Sequence, residues 1–308
     1  MPETAVQIPG PSRRAVLISA APALFVLLWS TGFIGAKLGL PYAEPFTFLA
    51  LRYALVSAAL FITLLAAGSP WPQSSTEIFH TVVAGLLLHG VYLGGVFSSI
   101  HLGLEAGVSA LIVGVQPLLT AALAVPLVGE RVNRTQLAGL LLGLAGITLV
   151  VWQKLNVGTG TPWSVGLSVI ALFGITLGTL YQKRFCGNVS LISGNLIQFA
   201  STGIAMGVLA FAFETVNVVW TPEFMFALGW LVFVLSLGAI SLLYMLIRNG
   251  AAARVASLFY LVPPVTALLA WKLFDERLSA LAVTGMVIAA AGVALVNFSE
   301  QANAFFRR

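Results

Sequence analysis

Ten long apolar segments follow one another along this sequence, each close to the about 20 residues that a helix needs to cross a bilayer. Hydrophobic residues make up 59% of the chain and charged residues 8%, whereas soluble domains carry about 25% charged residues. Backbone amides in lipid need partners within their own segment, and these runs are too long and uniformly apolar for β-barrel strands. The sequence predicts an all-α integral membrane protein with ten transmembrane helices, spans one to ten, at 16–37, 45–67, 78–101, 105–127, 135–153, 162–183, 190–213, 223–247, 251–273 and 279–298.

The basic residues are scattered along the chain, although the sequence pI is near 9.7. They form no stripe or run of the kind that binds nucleic acid, so no nucleic-acid partner is expected. With the N-terminus in the cytoplasm, ten Lys and Arg fall inside, and four fall outside, at Lys37, Lys154, Lys272 and Arg277. This asymmetry follows the positive-inside rule. It predicts a multi-pass protein of a bacterial inner membrane with both termini cytoplasmic.

Cysteine and histidine chemistry is sparse. The single cysteine, Cys186, excludes a disulfide within the chain and leaves no thiolate cluster for a metal. The three histidines all lie in span three and form no HExxH or comparable cluster. No cofactor or metal site is therefore expected, and an intramembrane enzyme is disfavoured.

The sequence contains an internal repeat. The stretch PLLTAALAVPLVGER begins at Pro117, and PPVTALLAWKLFDER begins 146 residues later, at Pro263. An ungapped 146-residue offset aligns identical residues, among them Thr120 with Thr266, Glu130 with Glu276, and Gly139 with Gly285. Each copy holds five spans, an odd number, so the second copy enters the membrane from the opposite side. The sequence predicts two inverted five-helix repeats, residues 1–155 and 156–308, around a central cavity; a duplication with only a structural legacy is the alternative.

Several of these segments resemble a known family. LLWSTGF in span one, PFTFLALRYAL in span two and the two proline-to-Glu-Arg segments are similar to the drug/metabolite transporter superfamily. The resemblance is closer to its EamA-type members, and among these to bacterial aromatic amino acid exporters. It implies a central cavity lined mainly by spans one, three, four, six, eight and nine, with spans five and ten outside. It also implies alternating access by rocking of the two halves.

The acidic residues depart from the pattern of one related group. The resemblance to small multidrug-resistance proteins implies a coupling Glu in span one, but all ten acids here lie at span ends or in loops. A carboxylate that couples drug and protons in the middle of the membrane is therefore not expected. Facilitated diffusion, or coupling through a histidine, fits the sequence better.

Polar and aromatic residues inside the spans are candidates for contact with a solute, because such groups usually face the bundle interior or a water-filled cavity. Aromatic walls with a few hydrogen-bonding groups suit an amphipathic metabolite. The candidate substrate-binding residues are His89, Tyr92 and Ser99 in span three, Gln116 in span four, Trp29 and Ser30 in span one, Trp163, Phe173 and Thr176 in span six, Tyr244 in span eight, and Ser257 and Tyr260 in span nine.

Some of these residues have a structural alternative. His89 lies near the middle of its span, where it could bind a solute and carry a proton, or stay neutral and bond to a neighbouring helix. Trp163 could equally be an interfacial aromatic. Pro117 is interpreted as a kink, and Arg52, with its repeat counterpart Gln198, as a structural latch between spans.

The sequence favours a monomeric membrane exporter of aromatic and other neutral amino acids and related metabolites. Its partners would be a small-molecule substrate and the bilayer. The alternatives are a carrier of sugar-phosphate, nucleotide-sugar or purine solutes, proton-coupled drug efflux, or, from other classes, a channel or scaffold. No GxxxxGK[ST] motif is present, so a P-loop does not supply energy.

Overall fold

The computed structural model describes residues 13–104, 106–130, 132–152, 160–274 and 279–305. These residues are helical or lie in turns and irregular connections, apart from an isolated bridge between Ala43 and Val218. The α-helices are α1 (Arg13–Gly39), α2 (Pro45–Ala67), α3 (Ser75–Gly85), α4 (Tyr92–His101), α5 (Ala106–Val113), α6 (Gln116–Val128), α7 (Arg134–Val151), α8 (Pro162–Phe185), α9 (Leu191–Phe213), α10 (Pro222–Trp230), α11 (Ile240–Asn249), α12 (Ala252–Ser257), α13 (Val262–Phe274) and α14 (Ala280–Phe305).

Eight helical stretches of the described chain are long and apolar enough to cross a membrane: Pro45–Ala67, Ser75–His101, Val108–Val128, Pro162–Phe185, Leu191–Phe213, Pro222–Asn249, Ala252–Leu269 and Ala280–Asn297. Each coincides with one of the predicted spans. The predicted first and fifth spans coincide with two shorter apolar helices, Ala20–Ala36 and Arg134–Val150. The all-α class of the prediction is therefore confirmed, and eight of its spans meet the length and composition of a membrane-crossing helix.

Four of these stretches are not continuous α-helices. In span three a π-helical turn, Leu86–Val91, joins α3 to α4, and in span eight another, Leu231–Ala239, joins α10 to α11. We call these the first and second π segments. Such turns widen the helix locally and occur frequently at functional sites. The 146-residue offset places Leu86 of the first opposite Val232 of the second.

Spans four and nine break at proline. Two turn residues separate α5 from α6, which begins at Gln116 with Pro117 in its first turn. A 3₁₀ turn separates α12 from α13, which begins at Val262, directly before Pro263. Proline lacks an amide hydrogen and clashes with the preceding turn, so the helix ends before it and starts again. The interpretation of Pro117 as a point of helix distortion is confirmed.

The helices pack around α1 and α8. Helix α8 contacts α3, the first π segment, α4, α5 and α6, while α1 contacts α10, the second π segment, α11 and α13. Helix α2 lies against α9, and α7 lies against α14. At the last pair a Cβ on Gly146 would be 2.4 Å from the amide nitrogen of Ala289. Glycine thus brings α7 and α14 into backbone contact, because small residues allow helices to approach closely.

One end of the bundle, which we call the Glu44 end, is joined by two carboxylates. Glu214, directly after α9, accepts hydrogen bonds from the backbone N–H groups of Phe46 and Thr47 at 2.7 Å, and so caps the start of α2. Glu44 accepts from the hydroxyl of Thr215 at 2.6 Å and from its amide at 2.8 Å. The bond from the Thr215 hydroxyl holds the pKa of Glu44 below its usual range. The α1–α2 and α9–α10 connections are therefore fastened together.

The opposite end, the Glu130 end, is joined by an ion pair. One carboxylate oxygen of Glu130 lies 2.6 Å from Nζ of Lys183, and the other accepts from the amide of Ala252 at 2.8 Å, at the start of α12. Lys183 also donates to the carbonyl of Gly250, and Arg248 donates to the carbonyl of Val189. The end of span four is thus tied to the ends of spans six and eight and to the start of span nine.

Candidate functional site

A chain of buried polar side chains from four helical stretches runs between the middle of the bundle and the Glu130 end. The first π segment carries His89, whose Nε2 lies 2.8 Å from the hydroxyl of Tyr244 on α11. The Tyr244 hydroxyl donates to Oε1 of Gln198 on α9, and Nε2 of Gln198 donates to Oε1 of Gln182 on α8 at 2.8 Å. The imidazole also stacks on Phe199, with 4.4 Å between ring centroids. The chain therefore links spans three, six, seven and eight through His89.

The direction of these bonds assigns the tautomer of His89. Because the Tyr244 hydroxyl gives its hydrogen to Gln198, its oxygen accepts from His89, and Nε2 carries the imidazole hydrogen. Nδ1 is then an unprotonated acceptor, and it is buried without a hydrogen-bond partner. The hydroxyl of Tyr53 donates to the backbone carbonyl of His89 at 3.0 Å and fixes that turn. His89 is thus neutral and bonded to a neighbouring helix, as one of its two alternatives predicted, and it also has an acceptor atom without a partner.

A buried arginine lies beside this chain. The side chain of Arg52 on α2 is fully buried, and its Nε donates to the hydroxyl of Ser236 at 2.9 Å. Ser236 in turn donates to the carbonyl of Leu231, five residues earlier in the second π segment. The guanidinium carbon lies 5.7 Å from the ring centroid of Tyr53. Both terminal nitrogens, Nη1 and Nη2, are buried without a hydrogen-bond partner, an expensive arrangement for a charged group inside a membrane.

A narrow cavity adjoins this arginine. Its volume is about 30 Å³, close to the share of one water molecule in the liquid. Its walls come from spans one, two, three and eight, and include Trp29, Gly32, Arg52, Tyr92, Phe97 and Leu235. The resemblance implied walls from spans one, three, four, six, eight and nine. Spans four, six and nine contribute no described residue to the walls of this cavity, and span two contributes Arg52, which the resemblance did not imply. A larger cavity of about 450 Å³ lies at the Glu130 end, against Lys183, Arg248 and Gly250.

A second polar cluster, the serine cluster, joins spans three, four and six. The Ser109 hydroxyl lies 3.3 Å from that of Ser99 and 2.9 Å from that of Ser168, and Ser168 donates to Ser99 at 3.0 Å. Ser99 also donates to the carbonyl of Val96 at 2.9 Å. All three serines are buried, and all three hydroxyls have partners. The predicted site residue Ser99 therefore takes part in a helix–helix contact.

The remaining predicted residues fall into three groups. Hydroxyls that donate to carbonyls of their own helix belong to Ser30, Thr176 and Ser257, all buried. Buried groups without a partner are both amide atoms of Gln116 and the hydroxyl of Tyr260. The last group is exposed, with 70% of Trp163 and 47% of Phe173 accessible. These two lie on the same outward stripe of α8 as Ile170 and Leu177, on the side of the helix opposite Ser168.

Some residues of the central chain are missing from the sequence-based set. Ser236 stands among apolar residues, Gln182 is next to the charged pair Lys183-Arg184, and Tyr53 lies within PFTFLALRYAL, which indicated the family and not a site, so pattern reasoning passes over all three. The 146-residue register did carry a signal, because it pairs Arg52 with Gln198, and both are buried polar groups next to His89 or its partners. Within the described residues, no group of three His, Cys, Asp or Glu is placed to hold a metal ion.

Comparisons with known proteins agree with this architecture. The model of the EamA-like transporter family matches the chain twice, at residues 16–152 and 162–298. A relative from Escherichia coli K12, "Uncharacterized inner membrane transporter YedA", is 27% identical over 287 residues, which cover 92% of this chain and 91% of that protein. Another from the same organism, "Probable amino-acid metabolite efflux pump", is 25% identical over 279 residues, covering 88% and 91%.

A solved crystal structure has the same fold. It superposes with a TM-score of 0.76 at 20% sequence identity, covering 91% of this chain and 97% of the other. Since the family model covers both halves and the relatives are named as transporters over nearly their whole length, the evidence for the family is direct. The chain belongs to the EamA-like transporter family, within the drug/metabolite transporter superfamily, and is a membrane transporter rather than an enzyme.

Proposed function

We propose that this protein exports aromatic and other neutral amino acids and related metabolites across a bacterial inner membrane, as a monomer and by alternating access. The observation that carries the proposal is the polar chain through His89, buried among apolar helices with unpartnered donor and acceptor atoms beside it. Polar groups at such a depth usually mark a solute pathway. The amino-acid preference is supported by the relative named as an amino-acid metabolite efflux pump and by the aromatic residues around the chain.

The transport mechanism would use ten helices in two inverted repeats, residues 1–155 and 156–308. The double match of the family model and the equivalent positions of the two π segments support this division. Ser30 donates to the carbonyl of Val26, and its counterpart Thr176 donates to that of Leu172, so even single hydrogen bonds recur at the 146-residue offset. Helices α6 and α13 also begin at equivalent residues, 116 and 262.

The proposed orientation has both termini in the cytoplasm. Under it, residues assigned to the outside should meet at one end of the bundle and residues assigned to the inside at the other. Glu44 and Thr215 meet at one end, and Glu130, Lys183 and Gly250 meet at the opposite end. The charge asymmetry of the loops supports the Glu130 end as the cytoplasmic end. The relative named as an inner membrane transporter supports the same location.

The proposed solute site is centred on His89, Tyr92, Tyr244 and Trp29. These four are buried inside the bundle, and two of them, Trp29 and Tyr92, line the narrow cavity. Gln116 stays in the proposal, because both of its amide atoms await a partner. Trp163 and Phe173 are left out of the site, since their side chains face away from the bundle.

Opening toward the cytoplasm would break the Glu130 end. Glu130 belongs to the first repeat, whereas Lys183 and Ala252 belong to the second, so rocking the halves apart must separate them. The larger cavity at this end gives a solute a place to leave. In the described spans the carboxylates lie at the ends of helices. A carboxylate that couples protons to transport would lie in the middle of the membrane, so this arrangement supports facilitated diffusion.

The test is counterflow in proteoliposomes with a panel of labelled amino acids. Vesicles loaded with unlabelled phenylalanine should take up labelled phenylalanine transiently, with saturation, with or without a pH gradient. Failure of every amino acid in the panel would overturn the proposed substrate class. An ohmic current without saturation would show a channel instead, and flux only under a pH gradient would replace facilitated diffusion with proton coupling.

A further inference from the structure

We propose that Arg52 binds the carboxylate of the transported solute. This inference rests on the proposed function, but it concerns a residue that the sequence pattern favoured as a structural latch. The starting observation is that Nη1 and Nη2 of a fully buried guanidinium have no hydrogen-bond partner. Arginine keeps its charge in proteins, so this atom pair presents an unsatisfied positive charge next to a cavity.

The groups around Arg52 do not neutralise it. Its neighbours are the ring of Tyr53, the hydroxyl of Ser236, Tyr92 across the cavity and the neutral imidazole of His89. None of these carries a negative charge in the bonding pattern described above. A buried charge normally has an ionic partner, and here the protein supplies none from the described residues around the guanidinium. The missing partner is therefore expected to come from a ligand.

The geometry favours a carboxylate. Ser236 occupies Nε and fixes the plane of the guanidinium, which leaves Nη1 and Nη2 as a pair of donors. Such a pair matches the two oxygens of a carboxylate, the bidentate arrangement for which arginine is suited. A phosphate dianion would bring a second negative charge that no other described cation near the cavity balances. A single carboxylate brings the charge to zero.

The surroundings also fit the rest of an amino acid. Nδ1 of His89 is a buried acceptor without a partner, within electrostatic range of Arg52. It can accept a hydrogen from the ammonium group of a zwitterion. Trp29, Tyr92 and Phe97 provide apolar walls for a side chain. The donor pair and the aromatic walls fit a solute with a carboxylate and an apolar body. His89 does not line the closed cavity, so its Nδ1 would meet the amine of the solute only once the cavity widens.

The cavity must widen to admit this solute. A volume of about 30 Å³ holds about one water molecule, so the described state is closed around Arg52. Its outer wall includes Leu235 of the second π segment, which packs against Gly32 of α1. Separation of α1 from this segment would enlarge the space beside the guanidinium. Binding at Arg52 is therefore expected to favour an open state over the described one.

The experiment measures ligand-induced thermal stabilisation of the full-length protein in detergent, with two probes that differ in one group. Phenylalanine carries the carboxylate, and phenethylamine lacks it. Phenylalanine should raise the unfolding temperature in a saturable way, and phenethylamine should not. Arg52→Gln should weaken phenylalanine binding about 10- to 100-fold, the loss expected for a charge-assisted bidentate contact. Without ligand, Arg52→Gln should unfold at the same or a higher temperature, because it removes an uncompensated buried charge.

Two further variants separate binding from structure. Arg184→Gln makes the same chemical change at an exposed arginine of the Glu130 end and should leave binding unchanged. Ser236→Ala removes the bond to Nε; a purely structural latch predicts that it destabilises the protein as much as Arg52→Gln does. Arg52→Lys keeps the charge, should retain weak binding, and serves if the glutamine variant does not fold.

The outcomes distinguish the two proposals. Equal stabilisation by phenethylamine, unchanged binding in Arg52→Gln, or ligand-free destabilisation matched by Ser236→Ala would overturn the role of Arg52. Chloride that stabilises the wild type as strongly as phenylalanine, and only when Arg52 is present, would assign the site to an inorganic anion and overturn the inference. If no amino acid moves in counterflow while phenylacetate still stabilises through Arg52, the proposed function fails and the carboxylate site stands.

Discussion

Two buried polar clusters of this transporter differ in whether their hydrogen-bonding groups have partners. In the serine cluster the hydroxyls of Ser99, Ser109 and Ser168 satisfy one another, and nothing is left over. Around Arg52 and His89 the bonds stop short, with two guanidinium nitrogens and one imidazole nitrogen unpartnered. A closed set of hydrogen bonds fastens helices, whereas an open set leaves donors and acceptors for a solute. The difference shows how a membrane bundle can be both held together and kept receptive.

The largest effect is expected from removal of the imidazole in the cluster around Arg52 and His89, which we call the open cluster. His89→Ala deletes a side chain that bonds to Tyr244 and stacks on Phe199, and should lower the free energy of unfolding by about 2 kcal/mol or more. Counterflow of phenylalanine should fall at least about tenfold, since 1.4 kcal/mol of lost binding is a factor of ten.

The chain offers a matched control for this change. His80 also bonds to a tyrosine hydroxyl, 2.6 Å away on Tyr181, and stacks on a phenylalanine, Phe185, at 4.4 Å. It lies in the middle of α3, near the start of the stretch Ser75–His101 and away from the central cluster. His80→Ala should keep the transport rate of the wild type. Equal loss of counterflow in the two variants would mean that the central position of His89 has no special role.

A glycine variant sharpens the comparison by disturbing the open cluster without touching its polar atoms. A Cβ on Gly85 would lie 2.7 Å from the Cα of Gln198, where α3 meets α9. Gly85→Ala should push these helices apart and misplace the Gln198 amide, at a cost of about 1–3 kcal/mol. Gly207→Ala on α9 meets nothing within 4 Å and should be neutral or slightly stabilising. Thermal unfolding of both variants tests this; equal unfolding temperatures would contradict the close contact.

The ion pair at the Glu130 end extends the comparison to the surface. Glu130→Gln keeps an acceptor for Ala252 but loses the charge that faces Lys183, a change worth about 0–1 kcal/mol for a partly exposed pair. The end should open more often. Native Cys186 reports this opening, because it is buried at the end of α8, and burial raises the pKa of its thiol to about 11.

The sign of the labelling effect follows from that pKa. A thiol with a raised pKa stays protonated near neutral pH and reacts slowly, whereas exposure returns its pKa toward the ordinary value and increases the reactive thiolate. Glu130→Gln should therefore speed the reaction of Cys186 with a maleimide several-fold. Added salt should speed it in the wild type and have less effect in the variant. Unchanged labelling in both would argue against the ion pair as part of a gate.

The smallest effect is expected at the serine cluster. Ser168→Ala removes hydrogen bonds to Ser99 and Ser109, and such bonds between membrane helices are worth about 0.6 kcal/mol on average. The unfolding temperature should fall slightly, and counterflow should not change. A tenfold loss of transport in Ser168→Ala would place the serine cluster in the solute path and remove the contrast with Arg52.

Much of the fold could be read from the sequence because the bilayer imposes it. Apolar run length and the turn residues between runs located the eight stretches that are long and apolar enough to cross a membrane and the two shorter helices, and Pro117 located a helix break. The π segments were not foreseen, since Leu86–Val91 and Leu231–Ala239 carry no local signal that separates them from α-helix. The candidate site was found only in part, because periodicity tells which face a residue shares but not which neighbour faces it.

The sequence by itself determined the class of protein, the length of its helices and the register of its repeat, because these depend on hydrophobic runs and on spacing along one chain. Only the tertiary structure decided which polar groups are satisfied. Arg52 and Ser168 are both polar residues in apolar helices, yet one ends with free nitrogens and the other with every bond made. Hydrogen bonding depends on distances of a few tenths of an ångström between residues far apart in sequence, and those distances exist only once the helices have packed.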